Sequence, residues 1–319
     1  MILLADSGST KVHWCLVTAS GQCSDVFTDG INPLFQTSDA MRNSISNQLL
    51  PQIAPLLWAG TLTHVFFYGA GCTPEKKVFV QKALEGIFKK AEVHVESDML
   101  GAARGLLGHE AGIACILGTG SGSCFYNGEN IEWCVPSLGY ILGDEGSAAV
   151  LGKRLVGDLL KNQLDPITND QSQITNDQSP ITNNQSPITN LKDLFFEEYH
   201  TSMADIIEKV YRQPFPNRFL AKLSKFCADH IDDKRIRDLV YDHFVQFIRR
   251  NLIQYFTPSP SGEGRGEATP VGFVGSIAYY YRPILEEAMQ AEGIPLGTVL
   301  QDPIEGLKRY HQDSITPTM

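Results

Sequence analysis

One order of elements occurs twice in this chain of 319 residues. Apolar or alternating runs over 1–6, 11–19 and 22–28, with Ser20-Gly21 as the turn between the last two, predict three consecutive strands. A helical segment near 38–50, a strand over 64–68, a helix over 74–90, a strand over 92–96 and a helix over 98–107 follow. The second copy has strands over 112–117, 121–126 and 130–135, then a helical block from 144 to about 256. It resumes with a strand over 271–274, a helix over 278–291, a strand over 297–301 and a closing helix over 303–310. Strands joined by short turns, then strands joined through helices, make a mixed α/β sheet covered on both faces. Two copies make two lobes with a cleft between them. The first is expected over 1–108, with the closing helix 303–310 a candidate to pack on it. The second is expected over 109–302, carrying the helical block 144–256.

Two stretches stand apart. Within 165–190, Ile167-Thr168-Asn169-Asp170-Gln171-Ser172-Gln173 is followed by close copies from Ile174 and Ile181 and a last Ile-Thr-Asn at Ile188. Each copy holds a single apolar residue, and Pro180 and Pro187 interrupt the run, so the seven-residue period offers no coiled-coil seam. It reads as a disordered insertion, as does the Pro/Gly/Ser-rich stretch 258–269. The block between them opens as a helix, with Asp144 placed to cap it and Ala148, Leu151, Leu155, Leu159 and Leu160 at helical spacing.

With 43% hydrophobic residues the chain can bury a sizeable core, and its 26 Lys+Arg against 36 Asp+Glu leave a formal charge of −10. That balance provides no electrostatic footprint for nucleic acid or an anionic membrane. No apolar run approaches the ~18 residues of a spanning helix, and Met1-Ile2-Leu3-Leu4-Ala5-Asp6 runs into a strand without a basic leader, so a cytoplasmic protein is expected. The seven cysteines form no C-x-x-C pair and read as small reduced core residues. The eight histidines show no ligand or triad spacing and read as structural, and Tyr279-Tyr280-Tyr281 reads as packing.

The chemistry concentrates where strands end. Asp6-Ser7-Gly8-Ser9-Thr10-Lys11 closes the first strand, and Leu117-Gly118-Thr119-Gly120-Ser121-Gly122-Ser123 occupies the same place in the second copy. Small residues let backbone N–H groups approach an anion, Thr10 adds a hydroxyl, Lys11 a cation, and Asp6 a carboxylate able to hold Mg²⁺ through water. Either turn alone is ordinary; at equivalent points of two lobes they could cradle phosphates from both sides. Neither matches the Walker or Rossmann phosphate loops. Asp98, in Glu96-Ser97-Asp98, reads either as a helix N-cap or as a general base at the carboxyl end of a strand. Gly143-Asp144-Glu145-Gly146-Ser147 places a further acidic pair at the start of the inserted helix, with capping as the bland alternative, and Gly272-Phe273-Val274-Gly275-Ser276 could pass beneath an adenosine or merely pack closely.

Together with Glu96-Ser97-Asp98-Met99-Leu100-Gly101-Ala102-Ala103-Arg104-Gly105, those four segments resemble, in order and spacing, the motifs of the N-acetylglucosamine kinase branch of the BadF/BadG/BcrA/BcrD ATPase family. That family lies within the sugar kinase, Hsp70 and actin superfamily, and the resemblance covers nearly the whole chain outside the two insertions. It implies two ribonuclease-H-like, actin-like ATPase lobes and ATP-dependent phosphorylation of the 6-hydroxyl of an amino sugar, N-acetylglucosamine ahead of glucosamine. By the same resemblance Thr10 and Thr119 contact ATP phosphates, supported by Gly8, Ser9, Lys11, Gly118 and Gly120, with Asp6 organising Mg²⁺. Gly275 and Ser276 border the adenosine. Asn32, Ser121, Gly122, Ser137, Leu138, Gly139 and Asp144 line the sugar, and Asp98 is the catalytic base. A homodimer is expected by family analogy alone. The chain departs at Pro136-Ser137-Leu138-Gly139-Tyr140, where such kinases carry a Trp.

Rival readings are weaker. An ATPase acting on a partner protein, of the type that activates an iron–sulfur dehydratase, needs cluster-binding cysteines that are missing here. A sugar-sensing repressor needs a helix-turn-helix before the first strand. A decayed sugar-binding relative sits badly with the retention of Asp6, Thr10, Asp98, Thr119 and Asp144.

Overall fold

The computed structural model describes residues 1–8, 10–58, 60–164, 190–256 and 271–311. The stretches read as insertions over 165–190 and 258–269 lie outside the described residues, except for Asn190, which caps a helix. The chain divides into two compact units, one built from 1–147 and 241–319 and the other from 148–240.

The first unit contains both predicted sheets. In one, β1 (Ile2–Ser7), β2 (Lys11–Val17), β3 (Cys23–Asp29), β4 (His64–Gly69) and β5 (Glu92–Ser97) take the order β3-β2-β1-β4-β5. In the other, β6 (Ala111–Leu117), β7 (Ser121–Asn127), β8 (Ile131–Val135), β9 (Val271–Val274) and β10 (Leu296–Leu300) take the order β10-β9-β6-β7-β8. Each sheet has antiparallel pairs among its first three strands and parallel pairs for the last two, so the topology is duplicated. Alternation sends β1 side chains to opposite cores. Leu3 and Ala5 pack with Met41, Ile45, Val80 and Leu84, whereas Ile2 and Leu4 pack with Ile304 and Leu307.

Helices α1 (Ser38–Gln48), α2 (Leu50–Leu57) and α3 (Lys77–Ile87) cover the first sheet. The helix expected near 38–50 is α1; α2, which follows it after Leu49, was not anticipated, and Pro51 in its first turn lacks the N–H that would continue α1. The helix expected over 278–291 divides into α12 (Ser276–Tyr280) and α13 (Arg282–Ala291) ahead of Pro283. The short helix α5 (Gly139–Leu142) has no counterpart in the sequence reading.

Helix α4 (Asp98–Leu107) lies between the sheets. Its Gly101 is bare against Tyr68 of β4, while Leu100 and Ala103 pack with Ala114, Cys124 and Tyr126 of the other sheet. Its Gly105 meets Gly306 of α14 (Ile304–Tyr310), whose Ile304 and Leu307 reach the first sheet. Arg104 Nη1 donates to Tyr68 Oη at 3.1 Å, and the Tyr68 hydroxyl lies 2.8 Å from His311 Nε2 in a second hydrogen bond. Burial first, then nearby cationic groups, pushes His311 down to about 3, so it is neutral.

The second unit is helical, with α6 (Ala148–Leu160), α7 (Leu191–Glu198), α8 (Met203–Tyr211) and α9 (Pro216–Asp229), and α10 (Lys234–Phe247) begins in it. Helices α6 and α9 pack so closely at Gly152 that a Cβ there would stand 1.9 Å from Leu220 O. The helix α6 begins at Ala148, so Asp144, four residues earlier and at φ 56°, is not its N-cap as expected.

All seven cysteines are free thiols; Cys134 is exposed and Cys23 half-buried, against the expectation of a uniformly buried set. Tyr281 is buried but Tyr279 and Tyr280 are exposed, so packing accounts for only one of the three. Among the described residues no helix is long and apolar enough to cross a membrane.

Candidate active site at the carboxyl ends of the strands

Three parallel strands of the first sheet end in one row. Ser7 of β1 pairs with Gly69 of β4, which pairs with Ser97 of β5. Open α/β sheets present their ligand-binding groups beyond such a row. Asp6 stands one residue before it and Asp98 one residue after it. The helix N-cap is Ser97, whose Oγ accepts the Leu100 N–H at 3.2 Å, so the capping reading of Asp98 fails. Asp98 is the first helical residue, and its Oδ1 accepts the Met99 N–H at 2.9 Å.

The electrostatics of this end are unusual. Burial pushes the Asp98 carboxyl up to about 6, against the lowering effect of its backbone hydrogen bonds. Burial also pushes Asp6 up to about 7, with the charges of Asp98 and Asp302 adding to the rise and those of His13 and Lys11 opposing it. Asp302 was not singled out in the sequence, although it follows β10 as Asp98 follows β5; the duplicated topology was the signal that pointed to it. His13 lies opposite Asp6 on β2, with Nε2 3.0 Å from Asp25 Oδ1 and Nδ1 3.5 Å from Asp302 Oδ2. Burial would lower His13, but the two carboxylates raise it, and in return His13 holds Asp302 below the usual carboxylate range against its own burial.

Asn32 reaches the same end because Ser7 Oγ donates to Ile31 O at 2.9 Å and anchors the chain after β3. Asn32 Oδ1 accepts the Leu34 N–H at 2.9 Å, and Gly71 faces it so closely that a Cβ would stand 2.4 Å from that oxygen. The adjacent Cys72 is buried, and its thiol is pushed up to about 12 by burial first and then by the Asp98 charge.

The second sheet contributes the matching rim. Gly122 fits between Met99 and Ser137, with a virtual Cβ 2.9 Å from Met99 Cε and 3.1 Å from Ser137 Oγ. Asp144 approaches Gly120, and its Oδ1 accepts the Gly139 N–H at 3.2 Å; Ser121 Oγ donates to Glu145 O at 2.6 Å. Gly275, at φ 120°, lies against Leu117 O and Gly118 N, where a Cβ would come within 2.4 Å of the carbonyl. Ser276 opens α12 beside it, exposed. Leu138 is exposed on this rim.

The two small-residue turns are each closed internally. Gly8 N–H donates to Lys11 O and Gly118 N–H to Gly120 O, both at 3.0 Å, and among the described residues no hydrogen bond joins the turns. Thr10 is exposed and Thr119 half-buried, while Lys11 Nζ lies 5.0 Å from the Phe27 ring centroid. Ser9 lies outside the described residues. The arrangement couples Asp6 to Asp98 by charge, sets Asn32 against Gly71 and Gly122 between Met99 and Ser137, and sets Gly118, Gly120, Asp144 and Gly275 in a second group.

No family model and no curated protein matches the chain. Among solved structures, a Porphyromonas gingivalis protein assigned as an N-acetylglucosamine kinase is 41% identical over 98% of this chain and 99% of its own, with a TM-score of 0.84. A Chromobacterium violaceum protein with the same assignment is 17% identical over 97% and 98% of the two chains, with a TM-score of 0.66, a likeness of fold. The first of these, over essentially the full length of both chains, places the protein: it belongs to the N-acetylglucosamine kinase-like branch of the BadF/BadG/BcrA/BcrD family of actin-like ATPase kinases.

Proposed function

We propose that this chain is an ATP-dependent sugar kinase that phosphorylates the 6-hydroxyl of an amino sugar, N-acetylglucosamine ahead of glucosamine. The observation that carries the mechanism is Asp98, a half-buried carboxylate at the end of a strand row, raised to about 6, coupled by charge to Asp6 and followed by Met99, which packs against Gly122. A base of that pKa is ionised at neutral pH yet basic enough to accept a proton from a hydroxyl that becomes acidic only as it reacts.

Bound ATP with Mg²⁺ would supply the transferable phosphoryl group. The residues fit both. Gly275 packs backbone to backbone against Leu117 and Gly118 and so fixes the second small-residue turn, and Asp6 is a desolvated carboxylate with no hydrogen-bonded partner among the described residues. Asp6 would hold Mg²⁺ through water; among the described residues no group of three His, Cys, Asp or Glu is placed to hold a metal ion. Thr10 and Thr119, with Gly8, Ser9, Lys11, Gly118 and Gly120, would line the phosphates, and Gly275 and Ser276 the adenosine.

Asn32, Ser121, Gly122, Ser137, Leu138, Gly139 and Asp144 would hold the sugar. Asp98 then takes the hydroxyl proton as the sugar oxygen attacks the terminal phosphorus in line with the leaving diphosphate. The backbone N–H groups of the small-residue turns offset the charge on the transferring group. The same reading places the activity in the cytoplasm, with a small sugar as partner, and leaves a homodimer to family analogy.

ADP release from Mg²⁺-ATP is to be measured with N-acetylglucosamine, glucosamine, N-acetylmannosamine, glucose and no sugar, beside Asp98→Asn. Turnover that depends on one amino sugar and disappears in the variant is expected. Equal, slow hydrolysis with every sugar overturns the kinase reading.

A further inference from the structure

The segment 136–146, which carries Ser137, Leu138, Gly139 and Asp144, is poorly held by its own packing. Helix α5 has only four residues, and Leu138, Ile141 and Leu142 are 57%, 72% and 70% exposed. Its backbone is demanding as well, because Asp144 adopts φ 56° beside Gly139 at 75° and Gly146 at 81°. A segment with little buried surface and a left-handed aspartate needs fixing from outside.

One stretch of helix grips both ends. Tyr255, in α11 (Ile253–Phe256), accepts the Val135 N–H at 3.1 Å and donates to Ser123 Oγ at 2.9 Å, just before the segment. At the far end Arg250 Nε lies 2.7 Å from Glu145 Oε1, and the Phe247 ring lies under Gly146, where a Cβ would stand 3.0 Å from it.

Between α10 and α11 the chain makes a π-helical turn over Ile248–Leu252, closed by the Ile253 N–H on Ile248 O. Such turns are rare and concentrate at functional sites. Arg250, in the turn, is 60% exposed, whereas Tyr255, just after it, is buried, so the two stand on different sides of this stretch and reach the two ends of the segment separately.

We infer that Arg250, which lies within the π-helical turn, is a positioning residue for the sugar site: it holds Glu145 and, through it, the left-handed turn at Asp144 and the segment Ser137–Gly139. The inference rests on the kinase reading for what the segment binds. Glu145 is tied to the site by its carbonyl, which accepts from Ser121 Oγ, and by its neighbour Asp144, which holds Gly139. Arg250 is itself 60% exposed, so as a stabiliser of the fold the pair is worth little; its effect belongs to the site.

The test uses the full chain with Arg250→Ala, Arg250→Lys, Glu145→Gln and the Arg250→Ala/Glu145→Gln pair. Sugar-dependent ADP release is read for each, together with Tm and amide hydrogen exchange over 136–146. Arg250→Ala is expected to raise the sugar KM about tenfold while changing the ATP KM by no more than about twofold. Its Tm should move by no more than about 2 °C, exchange should quicken within 136–146, Arg250→Lys should recover part of the loss, and the double variant should be no worse than Arg250→Ala. An unchanged sugar KM with unchanged exchange overturns the inference, as does a parallel loss in both KM values and Tm, which marks a merely structural contact. If the wild type shows no sugar-dependent turnover, the kinase reading has failed, and exchange decides the positioning role: quickening confined to 136–146 supports it and no change overturns it.

Discussion

Gly105 of α4 and Gly306 of α14 meet backbone to backbone: a Cβ on Gly306 would lie 1.8 Å from Gly105 O. This crossing ties the helix between the sheets to the helix that closes on β1. No flexible side chain is available to give way. Gly306→Ala is therefore expected to destabilise the protein by ~2–3 kcal/mol, read as a lower midpoint in denaturant unfolding. Gly157→Ala, in α6 with nothing within 4 Å of the added atom, is the opposite case and should stabilise by ~0.5–1 kcal/mol. Equal effects from the two would show that close packing is not what decides them.

Asp98→Asn should lower kcat by about 10²–10⁴-fold with little change in sugar KM. Because wild-type Asp98 must be ionised, its rate should rise with pH through about 6 and level off above. A variant that retains full activity, or a profile flat down to pH 5, removes Asp98 from the role of base.

Asp6 and Asp98 also make a statement about stability. Their folded pKa values, about 7 and about 6, lie above the ordinary 3.8, so the folded state holds protons that the unfolded state has lost. Stability from these groups is full below pH 3.8 and declines as pH rises through 6 and 7. Without Mg²⁺, Asp6→Asn should consequently raise stability at pH 7.5, by at most about 4 kcal/mol, and the gain should shrink toward pH 4. A gain independent of pH would mean that the carboxylate is not desolvated.

His311 works in the other direction. Its folded value of about 3 lies below 6.5, so the stability it allows is present above pH 6.5 and is lost as pH falls toward 3. Tyr68→Phe removes the hydroxyl that joins Arg104 to His311 and should cost ~1–3 kcal/mol at pH 7. Thermal melts of wild type and variant across pH 4–8 check both statements.

Two glycines at the site should separate the substrates kinetically. Gly71→Ala puts a Cβ 2.4 Å from Asn32 Oδ1 at φ 77° and is expected to raise the sugar KM by about tenfold. Gly275→Ala, 2.4 Å from Leu117 O at φ 120°, is expected to raise the ATP KM by a similar factor. Exchanged effects would reverse the assignment of the two rims.

Much of the architecture was legible because its signals are local. Alternation over Ile2–Ser7 and Lys11–Val17, helical spacing after Asp98 and the repeated order of elements depend on neighbours a few residues away, and the ten strands among the described residues were anticipated to within two residues. The strand-end placement of Asp6, Asp98 and Gly275 followed from the same reasoning. The capping readings failed because each helix starts elsewhere than expected: Ser97 caps the helix whose first residue is Asp98, and α6 begins four residues after Asp144.

What the sequence determined by itself was therefore the duplicated α/β order and which residue types stand at the strand ends. The tertiary structure decided which of those residues act on one another. His13 is bracketed by Asp25 from the adjacent strand and Asp302 from the far end of the chain, and Arg250 meets Glu145 more than a hundred residues earlier through a helical turn of irregular pitch. Such pairings arise from chain closure over long separations, and burial shifts the carboxylates only once the fold has removed their water; neither leaves a periodic mark in the sequence.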